Sequence, residues 1–198
     1  MIASAVDWLI VGLGNPGCEH ADTRHNVGFM VADALAERWQ LGRPRARFRG
    51  LIAEGRAGEA MSGGAPSGGQ GPRVAVLWPQ TYMNDAGRSV GPARGALKLP
   101  LERVVVVHDE IDIPFGEVRA RLGGGLAGHN GLKSIKRELG GAGFVRVRVG
   151  VGRPASSDPE IVSTHVLGRF REDSDQVRDL VQRAADRVQR IVLGEDPA

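Results

Sequence analysis

Trp8-Leu9-Ile10-Val11-Gly12-Leu13-Gly14-Asn15-Pro16-Gly17 decides the fold. An apolar run that stops at glycines reads as a short strand buried on both faces, the pattern of a parallel sheet. Val104-Val105-Val106-Val107 repeats it and stops at His108-Asp109-Glu110. Between the two runs, Met30, Val31, Ala34, Leu35 and Trp39 recur at helical spacing from Val27 onward, with Asn26 in place to act as the N-cap. A strand, a tight turn and a helix in that order make an α/β layered protein.

The remaining segments extend this pattern. Phe48 to Ala57 and Val74 to Trp78 read as two strands around Ser62 to Pro72, a Gly-, Ser- and Pro-rich stretch expected to be a mobile hairpin loop rather than a domain boundary. A helix is expected from near Asn84 toward Leu99, weakened by Gly87, Gly91 and Pro92. Another is expected from about Gly131 to Leu139, with Leu132, Ile135 and Leu139 on one face. Val145-Arg146-Val147-Arg148-Val149 alternates strictly, so one face is apolar and the other presents two arginines. A last amphipathic helix from about Asp173 to Leu193 buries Val177, Leu180, Val181, Ala184 and Val188. The expectation is a single domain over residues 1–198, with a central mixed, mostly parallel sheet flanked by helices.

Composition narrows the setting. Cys18 is the only cysteine, so no disulfide forms within the chain and a reducing, cytoplasmic compartment is expected. Met1 to Asp7 lacks the look of an export signal, and no run of about 18 apolar residues occurs, so no membrane span is expected. Net charge is only +3, yet Ile113 to Arg153 holds eight Lys/Arg against Glu117 and Glu138, whereas Pro154 to Ala198 holds six Arg against nine acids. Such a local excess suits an anionic partner such as a nucleic acid backbone. The competing reading is a solvated arginine-rich surface, since the chain uses 23 Arg and 3 Lys. No segment shows an excess apolar face, which favours a monomer.

Thr23-Arg24-His25-Asn26 follows the glycine turn and places an imidazole beside a helix start. Histidine titrates near neutrality, so a held His25 can take a proton from water. Asp109, at the end of the valine run, stands where open α/β sheets put ligand-binding groups and could hold that imidazole in one tautomer. It could equally be an ordinary turn aspartate at a strand end. Three other patterns are decoys. Gly12-x-Gly14-x-x-Gly17 lacks an immediate helix and a second-strand acid, so its glycines are expected to shape a turn that exposes Asn15. Gly87-Arg88-Ser89-Val90-Gly91, with Asp109 and His129 following in hydrolase order, places Ser89 inside a helix instead of at a strand end. In Gly123-Gly124-Gly125-Leu126-Ala127-Gly128-His129-Asn130-Gly131-Leu132-Lys133 the lysine is out of register with a phosphate loop. What remains there is a backbone-rich loop with a His-Asn pair at a helix start, suited to a ligand or simply a glycine turn capped by Asn130. The histidines show no metal-ligand spacing, and His108 and His165 are expected to be structural.

Leu9 to Gly17, Thr23-Arg-His-Asn-x-Gly28, Pro79-x-Thr-Tyr-Met-Asn84, His108-Asp-Glu-x-Asp-x-Pro114 and Gly123-Gly-Gly-x-x-Gly-His-Asn-Gly-Leu-Lys133, taken in order, resemble the bacterial peptidyl-tRNA hydrolases. The resemblance runs from about Leu9 through Val147–Gly152 into Val166-Leu167-Gly168. It implies hydrolysis of the ester between a peptide and the terminal ribose of tRNA, which recycles tRNA, and it implies no cofactor. By it, His25 matches the catalytic base and Asp109 its orienting carboxylate. Asn15, Asn84 and Asn130 match cleft amides that bind water, peptide backbone and the reacting carbonyl, and Met83 matches a cleft-wall residue. The basic segment then offers Arg119, Arg121, Lys133 and Arg148 to acceptor-stem phosphates, contacts that position without reading sequence. His20 stands where the family usually has a tyrosine that would contact substrate. The same fold also serves chloroplast RNA-binding relatives that assist splicing, so a non-catalytic RNA-binding module is the second expectation.

Overall fold

The computed structural model describes residues 6–58 and 71–197. Among the described residues, seven strands form one sheet in the order β2-β3-β4-β1-β5-β7-β6. They are β1 Trp8–Gly12, β2 Arg45–Arg47, β3 Gly50–Arg56, β4 Arg73–Pro79, β5 Val104–Glu110, β6 Val118–Leu122 and β7 Val145–Gly150. The centre, β4-β1-β5-β7, is parallel, while β2, β3 and β6 join antiparallel at the edges. The sheet is therefore mixed with a parallel heart, and the two apolar runs lie side by side in it, Leu9 opposite Val104 and Val11 opposite Val106.

Period-two alternation explains the layers. Trp8, Ile10, Val105 and Val107 pack under α1 Val27–Arg38 and α5 Ser174–Val192, whereas Leu9, Val11, Val104 and Val106 pack under α2 Gly87–Leu97 and α3 Asn130–Leu139. Each strand residue meets a helix on its own face, so both faces are apolar and the runs read as continuous. α1 comes close to β1 because neither Gly12 nor Gly28 carries a side chain. A Cβ on Gly12 would lie 2.3 Å from the Gly28 carbonyl oxygen.

Several local expectations need correction. Asn26 precedes α1 but makes no side-chain cap bond. The early N–H of Phe29 is instead taken by the Leu13 carbonyl at 3.1 Å, which frees the Asn26 amide for another task. α2 starts at Gly87, after a 3-10 turn over Met83–Asp85, because there the chain crosses α3 closely enough for Ser134 Oγ to accept the Gly87 N–H at 2.9 Å. His129, not Asn130, caps α3, its side chain accepting from the Leu132 N–H. Arg146 does not face outward. It is 2% exposed and its guanidinium donates to the carbonyls of Gly123 and Gly125. Val177 is only half-buried on α5. The expected Ser62–Pro72 loop lies outside the described residues except for Gly71 and Pro72, although the strands around it do pair antiparallel. Three elements had no counterpart in the sequence reading: edge strands β2 and β6, and α4 Pro159–Leu167, which buries none of its residues.

Candidate active site

The carboxyl ends of β1, β4 and β5 open onto a cleft of about 700 Å³. Asn15, His25, Met83, Asn84, Asp109 and Asn130 all line it, so six of the residues singled out from sequence converge. Its far wall is α4, through Val162, Ser163, Val166 and Leu167.

Asn15 is not exposed by its turn; it is 8% accessible and clamped. Its backbone N–H donates to Asn26 Oδ1 and its carbonyl accepts from Asn26 Nδ2, both at 2.9 Å. This reciprocal pair is what the Asn26 side chain does in place of capping. Asn15 Oδ1 accepts the Met83 N–H at 2.8 Å, which orients Nδ2, a donor, toward the cleft. The same contact fixes the Met83–Asp85 turn, and Met83 packs at the cleft wall with its sulfur close to Gly131.

His25 sits on a 3-10 turn, Arg24–Asn26, that is tied down on its other side. Arg24 N–H donates to the Gly168 carbonyl at 3.1 Å, and the buried Arg24 guanidinium donates to the Arg169 carbonyl at 2.6 Å and to Glu172 at 3.2 Å. With the turn held, His25 Nδ1 meets Asp109 Oδ1 at 2.8 Å. That bond requires the Nδ1–H tautomer of a neutral ring and leaves the Nε2 lone pair for the cleft.

The structure adds a member. His129 Nε2 lies 3.0 Å from the same Asp109 Oδ1, and the His25 and His129 rings stand 5.1 Å apart. His129 belonged to the rejected hydrolase triad. Ser89 of that triad is fully buried in α2, yet Asp109 and His129 do meet. The signal available was its place beside Asn130 in the glycine loop, but nothing in the sequence tells which strand end that loop faces.

Electrostatics follow from this shared carboxylate. Burial alone would raise the Asp109 pKa, but the positive ends of His25 and His129 outweigh it and hold the carboxyl far below the usual range. Burial of His25 disfavours its imidazolium, and the Asp109 charge and hydrogen bond overcome that, leaving its pKa above the ordinary 6.5. His108 behaves oppositely. Fully buried and edge-on to His129, it is pushed down to about 3 by desolvation first and His129 second, so it stays neutral, with Nδ1 at 2.7 Å from the Asp109 carbonyl. His165 meets the Gly152 carbonyl at 2.9 Å and so ties α4 to the chain after β7.

The other singled-out residues lie outside the cleft. Arg119 and Arg121 project from β6, and Lys133 is exposed on α3. Arg148 on β7 is half-buried and pairs with buried Glu110, Nε to Oε2 3.1 Å, while Arg119 pairs with exposed Glu117 at 2.6 Å. Register puts Arg119 opposite Arg148 and Arg121 opposite Arg146. His20 is not brought into the cleft lining; it sits half-buried on the Cys18–His20 turn, 3.7 Å from Glu19.

An imidazole held by a buried carboxylate, opposite amide donors at the carboxyl end of a parallel strand pair, defines an α/β protein equipped to move a proton between water and a carbonyl substrate. Residues 9–197 match the family model for peptidyl-tRNA hydrolase, and the chain belongs to that family. A peptidyl-tRNA hydrolase of Geobacter sulfurreducens is 50% identical over 165 residues, covering 83% of this chain and 78% of its own. One of Kineococcus radiotolerans is 47% identical over 193 residues, covering 94% and 91%. The crystal structure of peptidyl-tRNA hydrolase from Acinetobacter baumannii superposes with a TM-score of 0.81 at 36% identity, over 98% of this chain and 93% of that one.

Proposed function

We propose that this protein hydrolyses the ester of peptidyl-tRNA, with His25 as general base and Asp109 as its orienting carboxylate. The observation that carries the assignment is the 2.8 Å contact from Asp109 Oδ1 to His25 Nδ1, which presents Nε2 to a cleft lined by three asparagines. Water bound at Nε2 loses a proton to it as the oxygen attacks the ester carbonyl carbon. Negative charge then builds on the carbonyl oxygen, where amide donors from Asn15 Nδ2, Asn84 and Asn130 stabilise it. As the tetrahedral intermediate collapses, the imidazolium returns its proton to the departing ribose oxygen, and free peptide and tRNA result. Asp109 stays ionised throughout, stabilising the imidazolium without taking its proton.

Arg119, Arg121, Lys133 and Arg148 serve tRNA phosphates in this reading, in line with the charge excess of their segment. His20 lies outside the cleft lining and is an outer substrate contact in this reading. The chain works as one domain and as a monomer, in the cytoplasm where charged tRNA is found. Among the described residues no helix is long and apolar enough to cross a membrane.

The test is release of tRNA from an N-blocked aminoacyl-tRNA by purified protein beside His25→Ala. Release by the parent and its near-complete loss in the variant are expected. Equal release by both sinks the mechanism, and RNA binding without release identifies the non-catalytic module.

A further inference from the structure

We propose that His25, Asp109 and His129 form a binding site for a divalent transition-metal ion of the zinc class, and that occupancy switches the histidine base off. His25, Asp109 and His129 each offer one ligand atom, the three within 4.8 Å of one another, and His25 Nδ1 and His129 Nε2 are the nitrogens that meet Asp109 Oδ1. Two imidazoles and a carboxylate are a donor set that zinc uses with a fourth, open position. The open side here is the cleft, through which a hydrated ion can enter. No sequence spacing announces the set, because its members come from the turn before α1, the end of β5 and the start of α3.

The fit requires only small movements. A tetrahedral zinc with bonds of about 2.0–2.1 Å keeps its ligand atoms roughly 3.3 Å apart. The present contacts to Asp109 Oδ1 are 2.8 and 3.0 Å, so each must open by a few tenths of an ångström while the imidazole nitrogens draw together. Asp109 already accepts two N–H bonds and brings the negative charge. His129 Nδ1 at present accepts the Leu132 N–H at 3.4 Å. That bond is long and must be given up when Nδ1 becomes the protonated nitrogen, a small loss beside a metal bond.

The consequence for His25 follows from proton counting. A neutral imidazole carries one N–H, now on Nδ1 and directed at Asp109. A metal at Nδ1 takes that position, so the proton relocates through solvent to Nε2. No proton is lost overall, but the lone pair that would accept a proton from water is gone. The ion itself sits on the Asp109 side of the ring, away from the position the attacking water takes at Nε2. It is therefore an inhibitor and not a cofactor. The binding half of the proposal stands alone; the switching half rests on the hydrolytic reading above.

Titration of the intact protein with Co²⁺, read by visible absorption, and with Zn²⁺ against a competing chelator tests the site. One ion per chain with a four- or five-coordinate cobalt spectrum is expected. The spectrum should vanish in Asp109→Asn, and zinc affinity should fall in His129→Gln by more than the roughly 10–100-fold that an outer partner is worth. Release from N-blocked aminoacyl-tRNA should decline along the same zinc titration and return when the ion is chelated. A spectrum that never forms, or one unchanged in both variants, overturns the site. Metal that accelerates release overturns the switch. If the protein releases no tRNA even without metal, the hydrolytic reading fails with its switch, while the cobalt spectrum still decides the binding site.

Discussion

The floor of the cleft and its α4 wall are built by opposite means. On the floor the groups around the base are held by others: Asn15 by Asn26 and Met83, His25 by Asp109, Asp109 by two histidines. The strands beneath, Trp8–Gly12 and Val104–Glu110, are buried along their whole length. α4 buries no residue, and Ile161 and Leu167 remain 48% and 45% exposed. It is attached at its carboxyl end, through His165 to Gly152 and through Gly168–Arg169 to Arg24. Chemistry needs preorganised donors, and those come from the rigid part. A wall that touches substrate through side-chain carbon can be light, because small errors there cost binding and not proton transfer.

The largest effects should come from breaking the floor. His25→Ala should lower kcat by about 10²–10⁴, the worth of a positioned base. Asp109→Asn should fall in the same range, because an amide can no longer favour the Nδ1–H tautomer or balance the imidazolium. The pH profile gives the sign. His25 must be neutral to act, and Asp109 raises its pKa, so kcat/KM should climb with pH through a midpoint above 6.5. Removing the carboxylate's charge should move that midpoint down. A midpoint that stays in place in Asp109→Asn breaks the assigned link between the two residues. Asn15→Ala should come next. It removes a carbonyl donor, worth about 10²–10³ in kcat, and also the acceptor that holds the Met83 turn.

Legibility in the sequence follows the same division. The floor was readable because it is made by strong local patterns: apolar runs ending at glycine, an aspartate two residues past the last valine, and asparagines in recognisable segments. His129 was not readable as a partner of Asp109, since a contact across 20 residues depends on how the Gly123–Gly128 loop lies over the sheet. The two arginines of β7 looked equivalent by alternation. Pairing with edge strand β6 and burial beneath the glycine loop separate them, so Arg146 anchors backbone carbonyls while Arg148 stays near the surface. α4 had the least to show. Asp158-Pro159 is a sound helix start, with Asp158 accepting the Glu160 N–H at 2.8 Å, but a helix that buries nothing has no apolar face to announce it.

At the basic edge of the sheet, β6 with β7, effects should be intermediate and salt-dependent. Arg121→Ala should weaken tRNA binding modestly and lower the slope of log affinity against log salt by about 1, the signature of one lost phosphate contact. Arg148→Ala should do more, because Glu110 is buried and loses the cation that balances it. Filter binding across a salt series separates the two cases. A slope unchanged in both variants moves the tRNA away from β6 and β7.

The smallest effects should come from α4, and they set the contrast most sharply. Leu167→Ala removes a half-exposed side chain from the cleft wall, so it should change stability by no more than about 0.5 kcal/mol and alter KM before kcat. Leu9→Ala, on the fully buried strand beneath the floor, should cost about 2–5 kcal/mol and leave a cavity in the core between the sheet and α2 and α3. Denaturant unfolding of the two variants, with kinetics on the same samples, reads both quantities. A Leu167→Ala protein that unfolds as early as Leu9→Ala would mean that α4 is part of the supporting frame. A kcat loss without a change in KM would place α4 in the chemistry of the ester and not only in holding the peptide beside it.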